Sequence, residues 1–271
     1  MVRNILRSRR TEILLDNFID EDFQNMLLPL NIMQTVYFNR KFRIINNFIT
    51  SNQTVQKTTS VIGGIICTVM FIVRFYFRYK VDMSFIFNFF NLFFNVIGFS
   101  INCVCAIVHC NSNVELILIL YKIYTLQTNK IKLRNFKIWN WIYCVYLLIS
   151  YIFVASLFFF LNVNIYICLL NCLCSFIAFC HDFNMVYAIR LLELLSLELE
   201  IWTKELTIET VKTANESNEN EHCSRMFEIY INIQEAIMIH NRIYQTQVRI
   251  IMFASMFTLI YTNNIKLKRH L

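Results

Sequence analysis

Histidine and cysteine are the side chains here best suited to hold a metal or act as nucleophiles. The chain has five histidines, His109, His181, His222, His240 and His270, and ten cysteines. No two histidines form an H-x-x-x-H pair, and none heads an H-x-x-x-x-D motif. Three of them adjoin a cysteine, as "HC" (His109, Cys110), "CHD" (Cys180 to Asp182) and "HC" (His222, Cys223). Zinc needs about four ligands at set spacings, and these are scattered over different elements, so no metal site is expected. There is no Gly-rich phosphate loop and no G-x-S-x-G elbow. Neither a catalytic residue nor a cofactor is expected. Cys67, Cys103, Cys105, Cys110, Cys144, Cys168, Cys172, Cys174 and Cys180 fall in or beside apolar runs, where cysteine usually packs as a small apolar residue.

Side-chain amides offer the other chemistry. Ser84, Asn88, Asn91, Asn95, Gly98 and Asn102 recur every three or four residues, which puts them on one helical face. Asn164, Cys168, Asn171, Ser175 and Asp182 repeat the pattern further on. Both stripes lie in strongly apolar surroundings, where an unpartnered amide is costly, so they should face a helical interior. Two readings stay open. One is interhelical hydrogen bonding, with Asn102, Ser175 and Asp182 as structural groups. The other is a polar-lined cavity for a small molecule, with Asn88, Asn91, Asn95 and Asn171 as its polar groups and Tyr146, Tyr151, Phe153 and Tyr166 as its walls.

The elements that must carry these stripes follow from composition. The chain is 57% hydrophobic and only 16% charged, against about 25% charge in an ordinary soluble domain. A helix needs about 20 apolar residues to cross a bilayer. Four runs reach that length: Thr59–Tyr79, Ser84–His109, Ile138–Leu161 and Ile165–Ile189. A single proline and three glycines argue against a β-barrel with its many tight turns. The expected class is all-α, a polytopic transmembrane helical bundle occupying 58–189. A fifth run, Ile250–Tyr261, is short: roughly 18 Å of helix against a hydrocarbon core of about 30 Å.

Lysine and arginine set the orientation. The segment 1–57 holds Arg3, Arg7, Arg9, Arg10, Arg40, Lys41, Arg43 and Lys57, and the connection between the second and third runs is also basic. The connection "NVN" between the third and fourth carries no charge. A cytoplasmic N-terminal region is expected. After the fourth run, 190–249 reads as a cytoplasmic helical extension around a polar linker, 207–224. Leu191, Leu195, Leu199, Trp202 and Leu206 form one stripe, and Met226, Ile229, Ile233, Ile237, Tyr244 and Val248 the other. The acidic residues Glu193, Glu198, Glu200, Glu205, Glu228 and Glu235 disfavour a helix lying on anionic lipid. Residues 250–271 would be a partial fifth span and a basic tail, "KLKRHL".

The segment "LLPLNIMQTVYFNRKFRIINNFI" (Leu27 to Ile49) resembles the N-terminal region of insect gustatory receptors of the moth and butterfly type. The likeness runs through Leu28, Pro29, Leu30, Asn31, Gln34, Lys41, Phe42 and Arg43. "FCHDFNMVYAIRLLELLSLELEIWTKEL" also resembles that family's fourth span running into its cytoplasmic helix. The resemblance implies a seven-helix receptor at the plasma membrane of gustatory neurons, with its N-terminus inside. It implies a homo- or hetero-tetrameric ligand-gated cation channel, opened by a small-molecule tastant bound in the outer half of the bundle. The family's T-Y…Q-F signature on the pore helix has no match here. The expectation is therefore about two-thirds of the seven-helix fold, truncated before the pore and non-conducting alone.

The alternatives are a non-conducting partner that modulates full-length receptors and a G-protein-coupled-type receptor. The latter wants an outside N-terminus and prolines in its helices, and the only proline is Pro29. A lipid bilayer and other receptor subunits are the expected partners, with no nucleic acid.

Overall fold

The computed structural model describes residues 17–37, 40–51, 58, 61–66, 68–70, 72–73, 85–126, 131–161, 165–212 and 219–270. The first helix, α1 (Glu21–Val36), starts where Asp20 accepts a hydrogen bond from the Phe23 backbone N–H at 2.8 Å, with Glu21 and Asp22 in the first turn. Pro29 sits inside α1 and is buried along with Leu27, Leu30 and Gln34.

A hairpin follows, β1 (Phe42–Ile45) against β2 (Phe48–Ser51), paired Phe42↔Ser51 through Ile45↔Phe48. Its two-residue turn, Asn46–Asn47, holds both residues at positive φ, 50° and 69°. Asparagine tolerates that region, and the geometry suits the twist of the strands. The all-α expectation is thus corrected by one small sheet, which packs on the third helix. Segment 17–20 is tied to it by Ile19 N–H donating to Asn47 O and Ile49 N–H to Asn17 O, each 2.9 Å.

Helix α2 (Phe85–Val108) and helix α3 (Cys110–Leu126) meet at a 71° bend at His109. The Asn113 side-chain amide donates to the His109 carbonyl at 2.8 Å beside it. Helix α3 is the most enclosed element: Leu116, Ile117, Ile119 and Ile123 are fully buried, and Glu115 is buried among them. Burying one such aliphatic side chain stabilises by about 1.5–3 kcal/mol. Composition had assigned this stretch to a connection. Its central stretch, Leu116–Leu120, is apolar on every side, belongs inside a bundle and shows no amphipathic phase to find it by.

Helix α4 (Ile131–Leu161) begins seven residues before the expected third run. Helix α5 (Ile165–Lys212) and helix α6 (Glu219–His270) are long and unbroken. The expected linker 207–224 is therefore corrected: 207–212 and 219–224 are helical. The two helices pair antiparallel, since Trp202 Nε1 donates to Met226 O at 2.8 Å and His240 Nε2 meets Ala188 O at 2.9 Å. Facing a carbonyl, that Nε2 must carry the proton.

The buried stripe of α5 also differs from the expected one. It runs through Tyr187, Leu191, Leu194, Glu198 and Ile201; of the expected positions Leu191 and Leu195 are buried and Trp202 is half-buried, while Leu199 and Leu206 are exposed. On α6, Met226, Ile229, Ile233 and Tyr244 are buried as expected, and Val248 is exposed. The seam follows a 3.5-residue repeat, which carries it across Glu198 rather than Leu199.

Among the described residues, one helix is long and apolar enough to cross a membrane, 134–160 within α4, and the bent α2–α3 pair is a second candidate. The expected first run falls partly outside the described residues; its backbone is helical over 61–66 and 68–70.

Candidate functional site

Two buried basic side chains stand where α1 and the hairpin meet the long helices. The chain reaches Lys41 directly after α1 and before β1, and this places its side chain between α5 and α6. Lys41 is 2% exposed. Its Nζ donates to the Tyr244 hydroxyl at 2.8 Å and lies 4.3 Å from the ring centroids of both Tyr187 and Tyr244. Its backbone N–H points at Gln34 Oε1, 3.4 Å away on α1. His240 packs on Tyr244 at 4.6 Å between centroids. Burial drives the Lys41 amine down to about 7, with the Cys105 thiol of α2 opposing the shift. The ring faces favour a cation by about 2 kcal/mol each when desolvated, against a desolvation penalty of several kcal/mol per ion. No carboxylate pairs with the amine among the described residues, so desolvation wins.

Arg190 on α5 is 5% exposed and has a fuller set of partners. Its Nε donates to Asn140 Oδ1 at 2.7 Å, one terminal nitrogen to Phe136 O at 3.3 Å, and the other pairs with Glu193. The guanidinium lies over the Phe136 ring at 4.3 Å. Asn140 in turn donates to Met26 O on α1 at 3.0 Å. Burial lowers the guanidinium below its ordinary value while Glu193 pulls it back; a guanidinium remains protonated in proteins. Chemically, Arg190 is a charged strut, and Lys41 an amine poised to exchange a proton near neutrality.

The stripe residues are placed as follows. The side chains of Asn88, Asn91 and Asn95 lie outside those described. Asn102 and Asn171 are buried, and the Ser175 hydroxyl donates to the Asn171 carbonyl at 2.9 Å. Tyr151 packs edge-on against Phe176 and Phe179, at 6.1 and 5.4 Å. Tyr146, Phe153 and Tyr166 point outward, 66%, 63% and 80% exposed, so they do not converge with Asn171 on one cavity within this chain. Asp182 is on the exposed side of α5. No group of three His, Cys, Asp or Glu is placed to hold a metal among the described residues.

Neither buried basic residue stands out in the sequence as a site residue. Lys41 belongs to a "RKFR" run that reads as a solvated basic turn, and Arg190 follows an apolar run as an ordinary flanking charge. The available signal for Arg190 was its position directly before the Leu-rich seam, with an acid at i+3. Nothing local marks Lys41. No family model, curated protein or solved structure matches the chain.

Proposed function

We propose that the chain is a subunit of an insect chemoreceptor of the gustatory type, a multi-pass plasma-membrane protein that assembles with like subunits and responds to a small-molecule tastant. The observation that carries this reading is where the resemblance falls: of its residues Pro29, Leu30, Asn31, Gln34, Lys41 and Phe42 are buried, Arg43 is half-buried and Leu28 is exposed, and α1 packs against α4 and α5. A family likeness concentrated in a packed junction reflects shared architecture more directly than one spread over a surface.

The outer face of α4 supports the membrane part of the reading. Ile138, Ile142, Tyr146, Ile149, Phe153 and Phe160 are all exposed at helical spacing, and the run 138–161 carries no charge. A contiguous apolar face of that length is unfavourable in water and suits hydrocarbon. Helices α5 and α6 then lead from apolar runs into a packed seam, which would transmit movement between bilayer and cytoplasm. Asn171 and Tyr151, inside the α4–α5 packing, are the stripe residues best placed to feel a ligand.

Co-expression with a full-length gustatory receptor subunit in oocytes tests the reading. Co-purification and a changed tastant-evoked current are expected. Unchanged currents without co-purification would remove it.

A further inference from the structure

The environment of Lys41 has an unusual composition for a buried amine. Four separate parts of the chain close around it: Gln34 of α1, Cys105 of α2, Tyr187 of α5 and Tyr244 of α6. Its one side-chain hydrogen bond among those described spans 203 residues of sequence and is the direct polar link from the hairpin's entry to α6. The titratable groups facing it are the Cys105 thiol from α2, the Tyr187 phenol from α5, and the His240 imidazole and Tyr244 phenol from α6. None of these supplies a fixed negative charge near neutral pH. A neutral amine fits such a site as a hydrogen-bonding group among aromatic rings. An ammonium there loses its hydration without gaining an ion pair.

We propose that Lys41 is a proton-controlled latch: its neutral amine ties the N-terminal segment to α5 and α6, and protonation loosens that tie. The device is independent of whether the protein is a chemoreceptor.

The sign follows from linkage. With the segment undocked, the amine is in water and stays charged until about pH 10.4. Docked, it is neutral above about 7. The undocked state therefore binds more protons between these limits, so docking strengthens as pH rises through the window and is flat below it. Between pH 7 and pH 8 the docking constant should rise about fivefold. His240, held below its ordinary value by burial, titrates beneath this window and does not contribute to the slope.

Hydrogen exchange of the hairpin amides, 42–45 and 48–51, in the full chain reconstituted in lipid nanodiscs reads this directly. After correction for the intrinsic rise of exchange with pH, protection should increase about fivefold from pH 7 to pH 8 and keep increasing to pH 9. Lys41→Met should abolish the slope. Constant protection from pH 7 to 9 in the unaltered chain would overturn the latch, and so would an unchanged slope in Lys41→Met. Should that variant not fold, Tyr244→Phe keeps both rings and the amine but removes the hydroxyl acceptor, which the charged form needs more. The onset of the rise should then move to lower pH; an unmoved onset overturns the proposal.

Discussion

Lys41 and Arg190 are both almost completely buried near the junction of α1 with the long helices, Lys41 bonding α6 directly and Arg190 reaching α1 through Asn140, yet they do so in opposite electrical states. Arg190 finds two neutral acceptors, a carboxylate and the ring faces of Phe136 and Tyr143. Lys41 finds a phenol and two ring faces. Burial alone would lower both. The partner set separates them: a delocalised, weakly hydrated guanidinium with five donors is satisfied in a fork of acceptors, whereas a compact ammonium is strongly hydrated and loses that shell. One junction is fixed and the other is conditional on pH.

The sharpest way to break the comparison is to remove each cation in turn. Arg190→Met would leave Asn140 Oδ1 and Phe136 O without their donor, at an expected cost of about 1–3 kcal/mol for each buried acceptor, while the half-exposed Glu193 carboxylate turns to water. A thermal midpoint in detergent that falls only slightly would show that Arg190 is not a strut. Lys41→Met is expected to do the reverse below pH 7, where the buried amine is charged, stabilising by about 1–4 kcal/mol. Melting at pH 6 and pH 9 tests it, with the gain shrinking at the higher value.

A third buried ionisable group sharpens the contrast from the acidic side. Burial, reinforced by Glu205, raises the Glu198 carboxyl to about 8. The folded seam thus binds a proton that the unfolded chain releases above about 4.3, so stability declines as pH rises from there towards 8. Glutamine copies the shape of the neutral acid, and Glu198→Gln should recover about 1–3 kcal/mol at pH 8 and flatten that decline. A decline of unchanged size in the variant would show that another group is responsible. The smallest effect expected is that of Trp202→Phe, which loses the indole bond to Met226 O and should cost about 0.5–1.5 kcal/mol. Exchange at the amides beyond residue 219 would report whether the loosening stays within that end of the seam.

The helices of the second, third and fourth apolar runs were legible because length and hydropathy are local properties, and so were the α6 seam positions Met226, Ile229, Ile233 and Tyr244, though not Ala236, Ile239 or Ile243. The hairpin turn left a trace too, in the consecutive asparagines at 46 and 47 that accept positive φ. Helix α3 was not legible: its apolar stretch around Leu116–Leu120 is too short to read as a span and has no polar face to give it a phase. Glu198 and Leu199 show the same limit at single-residue scale. Composition assigns the leucine to the seam, while the register fixed by the Trp202–Met226 and His240–Ala188 bonds at either end assigns the glutamate.

Among the candidate site residues, the sequence marked Asn102 and Asn171 for an interior face by their spacing, and the structure buries both. It could not tell which aromatics turn inward, because Tyr146, Tyr151 and Phe153 are equally apolar and lie within eight residues of one another on one helix. The packing of α5 against α4 separates them, half-burying Tyr151 against Phe176 and Phe179 and leaving the other two exposed.

By itself, then, the sequence determined that most of this chain is helix, with long apolar runs joined to an amphipathic pair, since those properties depend on neighbours three or four residues away. Which charges lie inside, and in what state, was decided only by tertiary structure. Lys41 is a solvated basic residue in every local window. Its environment is made by Tyr187 and Tyr244, and only the fold brings them to it, because desolvation depends on what surrounds a group in space and not on its sequence neighbours.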